Sequence, residues 1–164
     1  MNSELIRKDF PILETKVKGH PVVYFDNGAT TQRPLPVMRA VMDYVTRNNG
    51  NPHRGAHIFA MSASEAYDTS KTVVKDFIGA KSEKEIIYTR NTSESLNLVA
   101  RSYGETHLKE GDRILIPVSE HHSNLVPWQR AAKKTGAVLE YMYVDKETGH
   151  FADEDLIKMV DPRV

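Results

Sequence analysis

Cysteine is absent from the 164 residues. Disulfides, thiolate metal sites and a thiol nucleophile within this chain are excluded with it. Net charge is absent too: 22 Lys and Arg balance 22 Asp and Glu. That balance gives no electrostatic reason to expect nucleic acid or an anionic membrane as a partner. No apolar run approaches the ~20 residues of a membrane span. The start, Met1-Asn2-Ser3-Glu4-Leu5, lacks the basic-then-apolar form of a secretory signal, so the expected location is cytoplasmic. Neither a Gly-x-Gly-x-x-Gly nor a Gly-x-x-x-x-Gly-Lys-Ser/Thr run is present to cradle a diphosphate, and there is no repeat or low-complexity stretch. What remains is ordinary for a globular chain, 40% apolar and 27% charged, with enough length for one hydrophobic core.

The order of elements follows from periodicity and turn chemistry. Residues 3–8 start as a short helix, and Pro11 biases Phe10 out of helical angles. Pro21-Val22-Val23-Tyr24-Phe25 reads as a short strand that stops at the turn Asp26-Asn27-Gly28-Ala29. Val37, Val41, Tyr44 and Val45 then mark one helix face, with Pro34 suited to its first turn. A second helix is expected over 62–78, with Ala66, Val73, Val74, Phe77 and Ile78 as its buried stripe and Gly79 after its end. Three strand-like segments follow, 85–89, 113–118 and 138–144, separated by helical patterns at 93–103 and 124–135. Leu96, Val99, Ala100 and Tyr103 form the apolar face of the first of these helices. A turn at 145–149 and a short helix at 153–160 complete the chain. Strand, helix, strand, helix, strand implies an α/β fold with a mainly parallel sheet and flanking helices.

Chemistry concentrates where strands hand over to helices. Thr92-Ser93-Glu94-Ser95 follows an apolar run, so the free N–H groups of a first helical turn and two hydroxyls can receive a phosphate without Lys or Arg. Asn91 with Glu94 three residues on is equally an ordinary capping box, and the local sequence does not separate the two. The segment Glu120-His121-His122-Ser123-Asn124 follows the next strand-like run. In an open parallel sheet both loops open on the same edge. An imidazole there can stack on a flat ligand or move a proton near neutral pH. Phosphate at one loop and a ring at the next describe a phosphorylated aromatic cofactor such as pyridoxal phosphate.

Four segments carry a resemblance that covers most of the chain. They are Phe25-Asp26-Asn27-Gly28-Ala29-Thr30-Thr31, His53-Arg54-Gly55-Ala56-His57, Tyr88-Thr89-Arg90-Asn91-Thr92-Ser93-Glu94 and Glu120-His121-His122-Ser123-Asn124. In order and spacing they resemble class V, fold-type I pyridoxal phosphate enzymes, and most closely the SufS-type cysteine desulfurases and selenocysteine lyases. The resemblance implies a partial fold-type I transferase whose chain stops within the large domain, as the N-terminal portion of a longer enzyme. Residues 1–57 would form a segment of substrate-side loops and 58–164 the first part of the cofactor domain. It implies sulfur removal from L-cysteine as a persulfide, leaving alanine, for iron-sulfur cluster assembly. A homodimer and a sulfur-acceptor protein would be the partners. Selenocysteine lyase or another class V activity is the near alternative. A truncated, inactive chain or a binding half is the alternative of another kind.

The same resemblance assigns roles. His121 would stack on the pyridine ring and take part in proton transfers, while Thr92 and Ser93 would hold the cofactor phosphate. His53 and Arg54 would approach the substrate carboxylate, the guanidinium bidentately, or else belong to a solvated basic loop. Ala29 and Asn27 would line the substrate pocket through backbone groups. Arg90 and Glu94 would pair across the turn, Asn97 would orient it, and His122 would pack or hydrogen-bond locally. The Schiff-base Lys, the Asp that pairs with the pyridine nitrogen and the catalytic Cys would lie downstream. None of Lys71, Lys75, Lys81, Lys84, Lys109, Lys133, Lys134, Lys146 or Lys158 sits in the Ser-Gly-His-Lys context of the family. No metal is expected: adjacent His121 and His122 do not converge on one ion, and thiolates are absent.

Overall fold

The computed structural model describes residues 2–164, except the side chains of Asp153 and Asp155. Helix α1 (Ser3–Arg7) starts where the Asn2 side chain accepts the N–H groups of Glu4 and Leu5. A hairpin of β1 (Lys16–Val17) and β2 (His20–Pro21) follows, turning through Lys18 and Gly19 at φ of 52° and 83°. Two successive positive φ values are what a tight two-residue hairpin needs. Helix α2 (Leu35–Asp43) has Pro34 before its first residue and ends in a wider, π-type turn at Tyr44–Asn48. Helix α3 (Ile58–Ile78) runs until Gly79 leaves it at φ 71°, a conformation that an L side chain resists.

Helix α4 (Thr92–Val99) continues into a π-type turn at Ala100–Gly104 and the short α5 (Glu105–His107). Strand β3 (Arg113–Pro117), helix α6 (Val126–Thr135) and β4 (Val138–Met142) then form one β-α-β unit. The two strands are parallel, with Arg113 opposite Val138 and Pro117 opposite Met142. Helix α7 (Asp153–Met159) is the last element. The Arg113 N–H donates to the Arg163 carbonyl at 2.8 Å, and the Val138 N–H donates to the Asp112 carbonyl at 2.8 Å. Because backbone groups alternate sides along a strand, Arg163 lies on the β3 edge away from β4.

The chain divides after Ile86 into two compact units. In the first, α3 buries Ala60 and Ala63. In the second, Ala100, Ile116, Ala131, Ala132 and Ala137 are buried. Small residues let α6 approach the turn at Ala100–Gly104: a Cβ on Gly104 would stand 3.0 Å from Trp128 Cζ3 and 3.8 Å from Ala131 Cβ. Among the described residues no helix is long and apolar enough to cross a membrane.

Several sequence expectations need correction. Among the described residues, 86–89 are extended but join no sheet, because a strand requires a neighbour for its ladder bonds and the ladders present pair β1 with β2 and β3 with β4. The first β segment pairs at His20–Pro21 rather than over 21–25, and its partner β1 was not foreseen, since Lys-Gly lacks the Asn-Gly signature of such turns. Helix α3 begins four residues before Ser62, because the His57 ring accepts the Ala60 N–H and caps it there. Its expected stripe is open, with Val73 at 61%, Phe77 at 89% and Ile78 at 61% exposure. Val37 and Val41 on α2, Val45 in the turn after it, Val99 at the end of α4 and Tyr103 in the turn that follows are likewise exposed. Periodicity marks the face a helix offers for burial; it does not supply the cover.

Candidate functional site

The turn before α4 is built from its own side chains. The Asn91 side chain accepts the Glu94 N–H at 2.9 Å. The Thr89 hydroxyl donates to the Asn91 carbonyl at 3.2 Å and is hydrogen-bonded to the Ser95 hydroxyl at 2.6 Å. Asn97 Nδ2 donates to the Ser93 carbonyl at 2.8 Å, so Asn97 does orient the first helical turn. The cap uses the Glu94 N–H and leaves the Thr92 and Ser93 N–H groups, which lie too early in the helix for an intrahelical acceptor. Both residues are exposed.

Glu94 does not oppose an anion at this turn. It accepts the Arg90 N–H at 2.7 Å and Arg90 Nε at 3.2 Å. The Arg90 guanidinium and its backbone N–H hold the Glu94 carboxyl below its usual range. The carboxylate charge is thereby directed back at Arg90 and away from the helix entrance.

The loop after β3 supplies the ring. His121 precedes a 3₁₀ turn at His122–Asn124, and its Nδ1 accepts the Ser123 N–H at 3.2 Å. The Ser123 hydroxyl lies 3.0 Å from the same nitrogen and 2.7 Å from the Ser93 hydroxyl. Thus the α4 entrance and the His121 loop, 30 residues apart in sequence, meet through one hydroxyl. His122 meets His121 edge to face at 5.9 Å and is exposed. Asn124 Oδ1 accepts the Trp128 indole N–H at 2.9 Å, fastening the loop to α6.

His53, Arg54 and Ala29 belong to the first unit and are described there. His53 takes φ 59°, its N–H donates to the Ser64 hydroxyl at 2.8 Å, and its Nε2 lies 3.3 Å from an Asp68 carboxylate oxygen. Its ring stands edge-on to Tyr67 at 5.8 Å. The loop is therefore fastened onto α3. The Arg54 guanidinium is exposed and has no hydrogen-bond or ion-pair partner among the described residues. The Ala29 N–H donates to the Asp26 carbonyl at 3.2 Å, and the Asn27 carbonyl accepts the Thr31 hydroxyl at 3.0 Å. Among the described residues no three His, Asp or Glu side chains gather as a metal site.

Ser93 and His121 are therefore linked through the Ser123 hydroxyl, and Thr92 is the neighbour of Ser93 in the chain. Sequence reasoning passed over Ser123, although it stands inside the His-His-Ser-Asn segment. The available signal was a hydroxyl two residues after a histidine at a helix entrance, where it can return to the ring.

The parallel β-α-β unit and the likeness to solved enzymes of this fold place the chain in a class: part of a fold-type I pyridoxal phosphate transferase. Residues 23–164 match the family described as aminotransferase class-V, and the chain belongs to that family. It is 51% identical over 142 residues to a probable cysteine desulfurase of Synechocystis, covering 87% of this chain and 34% of the relative. It is 45% identical over 163 residues to a probable cysteine desulfurase of Halalkalibacterium halodurans, covering 99% of this chain and 40% of the relative. The apo structure of a cysteine desulfurase from Thermococcus onnurineus superposes with a TM-score of 0.78 at 46% identity, over 88% of this chain and 34% of that one. The chain thus spans between a third and two fifths of the length of these relatives.

Proposed function

We propose that this chain is the part of a pyridoxal-phosphate-dependent cysteine desulfurase that receives the phosphate and one face of the cofactor ring. The observation that carries the reading is the meeting of Ser93, Ser123 and His121. The donor set fits the group: a phosphate dianion suits two amide N–H groups and two hydroxyls at a helix entrance, and an exposed imidazole suits a flat ring. When bound, pyridoxal phosphate supplies the electron sink for chemistry at an amino acid's α-carbon. This chain's residues would anchor and orient. The Thr92 and Ser93 N–H and hydroxyl groups would hold the phosphate, and His121 would cover the ring and carry a proton at Nε2.

His53, Arg54 and Ala29 would serve the substrate side, with Arg54 the group free to meet a carboxylate. Residues 1–57 would form that side and 58–164 the start of the cofactor domain. L-cysteine would be the substrate and a sulfur-acceptor protein the recipient, in a cytoplasmic, homodimeric enzyme that feeds iron-sulfur cluster assembly. The 51% identity to a probable cysteine desulfurase supports the desulfurase activity. Since the chain has no Cys, the thiol that takes the sulfur would come from elsewhere in the enzyme, and residues 1–164 alone would not turn over cysteine.

A chimera tests this. Residues 23–164 would replace the matching segment of the Synechocystis relative, and alanine release from L-cysteine would be measured with and without His121→Ala. The parent chimera should be active. His121→Ala should lower turnover by a factor on the order of 10² to 10⁴, as removal of a proton-transfer group does, and shift the cofactor absorption band while leaving the cofactor attached. Equal turnover and an unchanged spectrum would remove His121 from the chemistry.

A further inference from the structure

We infer that Ser123 is a positioning residue, linking the anion-receiving turn at Ser93 to the His121 ring and holding that ring, when neutral, with its proton on Nε2. The inference rests on the reading that the turn at Thr92 and Ser93 takes a phosphate. It deepens that reading by assigning a third side chain.

The direction of each hydrogen bond follows from which groups can donate. A backbone N–H only donates, and the Ser123 N–H reaches His121 Nδ1 at 3.2 Å. Nδ1 therefore carries a lone pair, and the single proton of the neutral ring lies on Nε2. With Nδ1 unprotonated, the Ser123 hydroxyl 3.0 Å away must be the donor to it. A hydroxyl has one proton. Ser93, at 2.7 Å, must then donate to Ser123. Protons point from Ser93 through Ser123 to His121.

A cap alone does not account for this arrangement. Capping the 3₁₀ turn requires only the Ser123 N–H, whereas the hydroxyl joins two loops 30 residues apart. The chain also has a consequence for binding. A phosphate at the turn competes with Ser123 for the Ser93 proton, and the charge-assisted bond is the stronger of the two. Ser93 then turns to the anion. Ser123 keeps its bond to Nδ1 but loses the bond that polarised its own hydroxyl. His121 should register the anion through Ser123.

The test uses the full chain with ¹⁵N-labelled histidine rings and inorganic phosphate, which has no ring to stack. Long-range ¹H–¹⁵N spectra at a pH where imidazoles are neutral give the tautomer, and phosphate titration gives the coupling. Wild type should show His121 protonated at Nε2, and phosphate should shift both the Ser93 amide and the His121 ring nitrogens. Ser123→Ala keeps the backbone N–H and so should keep the Nε2 tautomer, but it should abolish the ring response while the Ser93 amide still responds. Ser123→Thr should restore the ring response. Ser93→Ala, which leaves the His121 loop intact, should keep the tautomer and lose the ring response. A wild-type ring protonated at Nδ1, or a ring response undiminished in Ser123→Ala, would overturn the role of Ser123. A Ser93 amide silent to phosphate would overturn the phosphate reading instead, and the presence or absence of a His121 Nδ1 shift between wild type and Ser123→Ala without phosphate would still decide for or against the Ser123 hydroxyl.

Discussion

Asn91 and Glu94 shape the entrance to α4, and their effects separate. Asn91 caps the helix through the Glu94 N–H; replacing a capping Asn by Ala costs about 1 kcal/mol. Asn91→Ala should therefore lower the urea midpoint of unfolding. It should also weaken phosphate binding, because the Thr92 and Ser93 N–H groups lose their fixed direction. Glu94 faces Arg90, whose guanidinium and N–H lower the carboxyl pKa. By NMR, Glu94 should titrate below the ordinary 4.5, and Arg90→Ala should return it toward that value. Unfolded chains bind this proton at higher pH than the folded one, so the stability it adds is present above 4.5 and fades as pH falls through the lower folded value. At this scale the sequence was most legible. The capping box, the hydroxyls and the His-His-Ser-Asn segment are contiguous runs whose groups act over a few residues. Ser123 escaped notice because its partner Ser93 is distant in sequence.

The β-α-β unit is held by charge as well as by its ladder. Arg113 Nε donates to Glu140 at 2.8 Å across the parallel pair, and its Nη1 reaches Asp161 at 2.8 Å. The Arg163 side chain and backbone N–H, with Arg113 nearby, bring the Asp161 carboxyl down to about 2. A depressed carboxyl stabilises above its unfolded value and loses that contribution as pH falls through its folded one. Asp161→Asn should therefore narrow the stability difference between pH 5 and the acid range, and in acid titrations followed by circular dichroism its loss of signal between about pH 4 and 2 should be shallower than wild type. Ile116 is the large buried side chain of β3, 3% exposed. Ile116→Ala should cost about 2–5 kcal/mol, measurable by denaturant melts. Helix α6 and strands β3 and β4 could be read from periodicity because both their ends carry turn signals. Residues 86–89 look like a strand by composition, yet strand formation depends on a neighbour that no local pattern specifies.

Across the described residues, burial falls mostly on alanines, with Ile86 and Ile116 the large exceptions, while many large apolar side chains face outward. Phe25 is 93% exposed, Phe77 89%, Ile157 76% and Tyr143 73%. Uncovered apolar surface on this scale drives association. Residues 1–164 in isolation should sediment above the monomer mass of 18.6 kDa, and a stable monomer at micromolar concentration would contradict that expectation. Family membership was legible from four motifs in register, whereas the open helix faces were not: apolar periodicity is the same whether the facing surface is present or absent. The central claim is that Thr92, Ser93 and His121 form one receptor for a phosphorylated aromatic ring. Its most direct test is titration of the labelled chain with pyridoxine 5′-phosphate, which lacks the aldehyde and so forms no lysine adducts, followed by NMR. Shifts concentrated at the Thr92 and Ser93 amides and the His121 ring, and largely lost with unphosphorylated pyridoxine, are the predicted result. No shift at these three residues, or shifts dispersed over the surface and unchanged without the phosphate, would contradict the account.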